Sequence, residues 1–218
     1  VRLVGSEMCI RDSTITVAVV PFPTPHSLFD VPSHPQPRHT VLGYEREYFG
    51  DGWGTQRTGC TTREAVMASA WQIDSCALPY RQWDMSAAAP FDDPYTGAPL
   101  DPSEVEIDHI IPLRAAWDSG AHAWPEDKRI AFANDPLNLV VTSRTANQAK
   151  SDSLPSEWVP PKRNVRCDYA RRIALIARTY SLALPKPDVR AMRRQCSGVR
   201  GLVDSFVPAG TIPLHSVE

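Results

Sequence analysis

The sequence contains neither a Cys-x-x-Cys pair nor an apolar run of the roughly 18–20 residues that a membrane-spanning helix needs. The first absence argues against a zinc knuckle, and the second argues against a membrane partner. No charge of one sign dominates either, because 23 Lys and Arg residues nearly balance 25 Asp and Glu residues. The whole chain therefore lacks the strongly basic composition that is typical of polyanion-binding proteins.

Charge is nevertheless unevenly distributed along the chain. Residues 61–142 contain 5 Lys/Arg against 13 Asp/Glu, a net charge of −8, whereas residues 143–200 contain 13 against 4, a net charge of +9. A basic half beside an acidic half that can bind metal suits a phosphodiester substrate. The alternative interpretation is that the arginines only form a solvated helix face.

The 218 residues suffice for one domain with a hydrophobic core. Residues 1–13 include the string Met-Cys-Ile-Arg-Asp-Ser, which resembles a translated sequencing adapter, and we exclude them from the fold. Residues 14–42 are rich in proline and predict an extended linker or the remnant of an export signal. The folded domain is expected over residues 43–197, and residues 198–218 are expected to form a disordered tail.

The pattern over residues 105–152 predicts two strands followed by a helix. Ser143 is a good N-cap for this helix, which contains Asn147. Pairing of the strands would bring Asp108, at the end of the first strand, close to Asn147, where a hard cation fits between a carboxylate and an amide oxygen. Branched apolar residues indicate the strands, at Val105, Ile107 and Ile110 and again at Leu139, Val140 and Val141.

The order Asp108-His109, then Asn138-Leu-Val-Val, then Asn147-x-x-Lys150-Ser-Asp resembles the HNH nucleases with a ββα-metal finger. The flanks resemble GmrSD-type HNH proteins, many of which are secreted actinobacterial proteins. The resemblance covers roughly residues 44–196 and implies a single α+β domain with an embedded ββα-metal (HNH) finger, flanking helices and a C-terminal helical hairpin. The flanking matches lie at residues 44–53, 59–64, 93–97, 132–135 and 155–161.

The resemblance also implies roles for the motif residues. His109 would be the catalytic base, since imidazole titrates near neutral pH, and Asn138 would orient it by hydrogen bonds across the loop. Asp108 and Asn147 would be the metal ligands, and their oxygen donors suit Mg²⁺ or Mn²⁺. Because adjacent strand residues point to opposite faces, the chain would have to bend between Asp108 and His109. The expected phosphate contacts are Lys150 and, less strongly indicated, Arg144, Arg163 and Arg166.

Apart from Cys9 in the adapter-like segment, the chain has four cysteines, which allow three disulfide connectivities. Cys60 and Cys76 flank a helix that is predicted after the capping box Thr-Thr-Arg-Glu at residues 61–64. Cys167 and Cys196 fall at the same end of the predicted C-terminal hairpin. We predict Cys60–Cys76 and Cys167–Cys196, and hence an oxidising compartment and export. The alternative is four buried thiols in a cytosolic protein.

The expected function is that of a secreted, bacterial, metal-dependent HNH endonuclease that hydrolyses phosphodiester bonds of nucleic acid as a monomer. DNA is favoured over RNA, and cleavage without sequence specificity is favoured because no separate recognition domain is visible in the sequence. Two alternatives remain: a nuclease effector that an immunity protein neutralises, and a nucleic-acid-binding module without catalytic activity. The intact set of Asp108, His109 and Asn147 argues against the second alternative.

Overall fold

The structure is a computed structural model that describes residues 29–73, 76, 80–83 and 88–197. The adapter-like segment, residues 14–28 and the predicted tail lie outside the described residues. Within the described part of the chain, six α-helices and two small sheets form one α+β domain, and no helix there is long and apolar enough to cross a membrane. The elements are β1 (Ser33–His34), α1 (Thr62–Ala70), β2 (Val105–His109), α2 (Leu113–Asp118), α3 (Glu126–Asn134), β3 (Leu139–Ser143), α4 (Arg144–Lys150), α5 (Arg166–Tyr180), β4 (Leu184–Pro185) and α6 (Lys186–Gln195).

The two strands of the predicted motif pair with each other. β2 and β3 are antiparallel, with Val105 opposite Ser143 and His109 opposite Leu139. The Ser143 hydroxyl then accepts a hydrogen bond from the backbone N–H of Ala146 and caps α4. The helix packs against both strands. Strand, strand and helix therefore form the ββα unit that the sequence indicates.

The long connection between β2 and β3 is itself largely helical, as its sequence pattern predicts. Helix α2 follows Pro112 and ends just before Gly120, whose φ of 126° lies in the region that favours glycine. After α3, the Asp135 carboxylate accepts a hydrogen bond from the backbone N–H of Leu137 and caps the short 3-10 turn that leads into β3. The helices and turns of this connection therefore fix the end of β2 and the start of β3.

Helix α1 covers one face of the β2–β3 pair. Its N-terminus has the predicted capping box: the Thr61 hydroxyl accepts from the Glu64 N–H, and the Glu64 carboxylate accepts from the Thr61 N–H. Met67 and Trp71 of the helix are buried in one apolar cluster with Ile107 of β2. The other face of the strand pair belongs to the main core and packs against α4.

The predicted C-terminal helical hairpin consists of α5 and α6, which pack against each other. Ser181 ends α5 in the left-handed conformation, with φ of 57°, and its N–H donates to the carbonyl of Ala177. Ile173, Ile176 and Met192 are fully buried between this hairpin and the rest of the core. The hairpin therefore belongs to the same apolar cluster as Val140 of β3 and Ala146 of α4.

Both predicted disulfides are present. Cys60 and Cys76 are joined across α1, with Cα atoms 5.7 Å apart, and Cys167 and Cys196 are joined at one end of the helical hairpin, with Cα atoms 4.7 Å apart. Disulfides persist in oxidising compartments, so both pairs agree with the predicted export.

The folded part of the chain begins earlier than the sequence indicated. Phe29 and Val31 are buried in the main core, although they lie in the stretch interpreted as a linker. The next residues form β1, which pairs in parallel with β4 and aligns Ser33 with Leu184. Two apolar side chains and a backbone pairing anchor this proline-rich segment, because prolines are tolerated at the edge of a short strand.

Replacing Cys167 and Cys196 together by serine is expected to lower the free energy of unfolding by about 2–4 kcal/mol, because the disulfide restricts the unfolded chain. Urea denaturation of the oxidised proteins measures the difference. As a control, the variant and the wild type should become equally stable once a reductant opens the disulfide. Equal stability under oxidising conditions would contradict a structural role for this bond.

Candidate active site

A buried ion pair joins β2 to α4. The Lys150 ammonium lies 2.9 Å from both carboxylate oxygens of Asp108 and donates a further hydrogen bond to the backbone carbonyl of His109, at 2.8 Å. The Tyr95 hydroxyl donates to the same carboxylate at 2.7 Å. Lys150 is 0% exposed and Asp108 is 5% exposed. The pair therefore fixes the end of the strand against the last residue of the helix.

Burial opposes ionisation of both partners. It raises the pKa of Asp108, against which the charge of Lys150 and the hydrogen bond from Tyr95 act in the opposite direction. Burial also lowers the pKa of Lys150, and the Asp108 carboxylate opposes that change. Each charge is thus acceptable in the interior only because the other lies beside it.

The turn at residues 93–97 positions Tyr95. The fully buried Asp93 carboxylate accepts from the Tyr95 N–H and from the hydroxyls of Thr142 and Ser143, each at 2.8 Å. Burial acts to raise the pKa of Asp93, but these hydrogen bonds outweigh it and hold the pKa below its usual value. The turn is therefore fastened both to β3 and to the N-cap of α4.

The structure gives Lys150 and Asp108 surroundings that differ from those expected. The resemblance implied that Lys150 contacts phosphate, yet its ammonium is buried and bonded to Asp108 and His109. Asp108 was expected to bind a metal, yet both of its oxygens face Lys150 and Tyr95. In this arrangement the two side chains hold the backbone at His109 in place.

His109 lies on the opposite face of β2 from Asp108, because the strand stays regular through His109 and its side chains alternate. The bend that was expected between the two residues is absent. The imidazole stacks on Trp53, with ring centroids 5.6 Å apart and planes inclined by 13°, and its Nε2 lies 2.8 Å from the Ala133 carbonyl oxygen. A carbonyl oxygen only accepts, so Nε2 carries the proton and Nδ1 carries the lone pair.

Burial keeps the His109 imidazole neutral. It lowers the pKa of His109 to about 4; the hydrogen bond to Ala133 acts to raise it, and the charges of Arg46 and Lys150 lower it further. Only 7% of the residue is exposed. At neutral pH the ring is therefore in the form that can accept a proton.

Asn138 fastens the loop that follows His109. Its side-chain oxygen accepts from the N–H of Ile111 at 2.8 Å, and its amide nitrogen donates to the Ile111 carbonyl at 3.2 Å. Its own backbone carbonyl accepts from the N–H of Ile110 at 2.8 Å. These are backbone contacts across the loop, of the kind that the resemblance implied. They fix the chain directly after His109.

Asn147 contacts Glu106 rather than Asp108. The Asn147 amide nitrogen donates to one Glu106 oxygen at 2.7 Å, and the Arg144 guanidinium lies 3.1 Å from the other. Glu106 and Asp108 are two positions apart in β2 and share a face of the strand. The sequence analysis did not identify Glu106 as a site residue. Its position two residues before Asp108 was the available signal, because it places both side chains on one face of the strand. No group of three or more His, Cys, Asp or Glu side chains that could hold a metal occurs in the described part of the chain.

The other predicted phosphate contacts lie near the start of α5. Arg163 is exposed, and Arg166 donates to the carbonyl of Pro160 at 2.7 Å. Arg172, which was not singled out from the sequence, donates to three backbone carbonyls, those of Pro136, Leu137 and Leu139. Part of the basic half therefore bonds to the protein backbone.

A cleft of about 350 Å³ opens beside His109. The cleft is also lined by residues 46–47 and 49–53, which include Arg46, Asp51 and Trp53. This stretch belongs to one of the flanking matches, but the sequence assigned it no role. The sequence could not predict that this stretch lines the cleft, because the contact between Trp53 and His109 joins residues far apart in the chain. The family resemblance of the stretch was the one indication.

The class of the protein follows from a comparison with known protein families. The family model of the GmrSD restriction endonucleases, C-terminal domain, matches residues 80–184, which include β2, β3 and α4. The chain belongs to this family and is thus a nuclease-related protein. Arg46 and Trp53 precede the matched residues.

A curated relative covers nearly the whole chain. The chain is 33% identical to an uncharacterized secreted protein of Arthroderma benhamiae over 198 residues, which cover 83% of this chain and 92% of that protein. The relative and the two disulfides both indicate an extracellular protein. No solved structure matches the chain significantly.

Replacing Asp108 by Asn is expected to lower the free energy of unfolding by about 3–5 kcal/mol, because Lys150 would remain as an uncompensated buried charge. The double variant Asp108→Asn, Lys150→Met should lose less than the sum of the two single losses. Arg144→Gln, which breaks an exposed pair, is the control and should change the stability by less than about 1 kcal/mol. Urea denaturation measures all four variants, and additive losses in the cycle would contradict the coupling.

The neutral, buried His109 is expected to make the protein less stable as the pH falls from 6.5 toward about 4. The unfolded chain binds a proton at the ordinary pKa of 6.5, whereas the folded protein does so only at about 4. The contribution of the neutral His109 to the free energy of unfolding is therefore complete above pH 6.5 and decreases by on the order of 3 kcal/mol down to pH 4. Denaturation of wild type and His109→Gln across this range measures it. The variant should show the weaker pH dependence, and parallel curves would contradict the assignment.

Proposed function

We propose that the protein is a metal-dependent endonuclease of the HNH type, which hydrolyses phosphodiester bonds of nucleic acid. The proposal rests on one observation: a neutral histidine with one engaged ring nitrogen lines an open cleft at the end of a strand of the ββα unit. Membership of a restriction-endonuclease family supports it.

His109 is the proposed general base. Its Nε2 is engaged by Ala133, so Nδ1 is the atom that takes a proton from the attacking water. A pKa of about 4 makes the free imidazole a weak base. A phosphate in the cleft adds negative charge beside the ring and so raises the pKa of His109 toward neutral pH. Stacking on Trp53 and the loop held by Asn138 keep the imidazole in one orientation.

A divalent cation, Mg²⁺ or Mn²⁺, belongs to the proposal. Glu106 and Asn147 are partly open to solvent and touch through the Asn147 amide nitrogen, which donates to one Glu106 oxygen, while Arg144 pairs with the other. Their carboxylate and amide oxygens are the hard donors that these ions prefer. Asp108 lies on the same strand face, but Lys150 and Tyr95 engage its oxygens. We therefore propose Glu106 and Asn147 as the residues that hold the ion, with Asp108 joining them only if Lys150 withdraws. When bound, the ion would offset the negative charge of a nucleic-acid phosphate on the α4 side of β2, the side opposite to the His109 imidazole.

DNA is the proposed substrate, because the family is one of restriction endonucleases, and we propose cleavage without sequence specificity. The engagement of Asp108 by Lys150 favours a second candidate function, a nucleic-acid-binding module without turnover. An immunity protein, as a partner of a nuclease effector, stays a prediction from the sequence resemblance.

Digestion of plasmid DNA and of RNA by the full chain tests the proposal, with Mg²⁺, with Mn²⁺ and with EDTA. DNA nicking is expected with either metal and should stop in EDTA. His109→Ala should lower the rate by about 10²–10⁴-fold, because the water loses its base. His122→Ala is the matched control and should retain activity, since His122 bonds to the carbonyl of Trp117 and lies outside the residues that line the cleft.

Each part of the proposal has its own contradicting result. Cleavage that persists in EDTA would contradict the role of the cation. Equal rates for wild type and His109→Ala would contradict His109 as the base. Binding of DNA without cleavage under all conditions would favour the second candidate function.

A further inference from the structure

Arg46 is the cationic residue of the cleft that contains His109. It begins the short 3-10 turn Arg46–Phe49 and lines the cleft together with Trp53. Its charge is one of the influences that lower the pKa of His109, so the guanidinium lies within electrostatic reach of the imidazole.

The Arg46 guanidinium has neither an ion-pair partner nor a hydrogen-bond acceptor among the described residues. Arginines elsewhere in the fold are engaged: Arg129 donates to the carbonyls of Tyr48 and Trp124, and Arg144 pairs with Glu106. An exposed guanidinium without a partner, at the wall of a cleft, is available to an anionic ligand.

Arg46 shares the cleft with two acidic residues. Glu47 and Asp51 line the same cleft, and neither forms an ion pair with Arg46. These two carboxylates oppose the binding of an anion, the His109 imidazole is neutral, and Arg46 is the one cation among the described residues that line the cleft. An anion therefore depends on this one guanidinium to enter.

We infer that Arg46 binds a phosphate group of the nucleic-acid backbone beside His109. The inference rests on the proposed function and names the residue that holds the substrate there. A guanidinium donates two parallel hydrogen bonds to phosphate oxygens and so fixes the position of the group. Arg46 precedes residues 80–184, so a segment outside the family match contributes to substrate binding.

Fluorescence anisotropy tests the inference with the full chain, in EDTA, using a labelled DNA strand with nuclease-resistant phosphorothioate linkages. Arg46→Gln should weaken binding by about tenfold and reduce the slope of log affinity against log salt by about one, and Arg46→Lys should recover part of the loss. Arg57→Gln is the matched control, an exposed arginine of a nearby loop that lies outside the residues lining the cleft. It should bind like wild type.

Equal effects of Arg46→Gln and Arg57→Gln, or no binding by wild type, would overturn the inference. A plasmid digestion on the same proteins separates it from the proposed function. Cleavage by wild type with an unchanged KM in Arg46→Gln would overturn the inference alone. Arg46-dependent binding without cleavage would support the inference and contradict the proposed nuclease activity.

Discussion

The buried ion pair between Lys150 and Asp108 is the constraint on which the rest of the site depends. Taking two charges out of water costs several kcal/mol for each ion, and only close contact with further hydrogen bonds offsets that cost. Tyr95 and the backbone carbonyl of His109 supply those bonds. Strand β2 and helix α4 therefore have one acceptable relative position, and the buried Asp93 secures it by fastening the Tyr95 turn to β3.

This arrangement divides the polar side chains around β2 between the two faces of the strand. Glu106, Asp108 and Lys150 lie on the side of α4, whereas His109 lies on the side of α1 and opens to the cleft. The backbone carbonyl of His109 lies on the α4 side, whereas its imidazole lies on the α1 side. The ion pair can thus fix the strand end, and with it the base, without touching the substrate cleft.

The local parts of this structure could be predicted from sequence because neighbouring residues determine them. Branched residues gave both strands, Thr61 and Glu64 gave the cap of α1, and cysteines beside predicted helix ends gave both disulfides. The partner of Lys150 could not be predicted, because it depends on which side chain lies opposite across a folded interface. The start of the folded part at Phe29 was missed for a similar reason. Prolines dominate the composition of this segment, whereas its position depends on the burial of Phe29 among residues that are distant in the chain.

The central claim is that the fold holds His109 as a neutral imidazole protonated at Nε2. Nuclear magnetic resonance of the ¹⁵N-labelled imidazole measures both the tautomer and the pKa directly. We predict a proton on Nε2 at neutral pH and a transition near a pKa of about 4. A proton on Nδ1, or a transition near the ordinary value of 6.5, would contradict this account of the site.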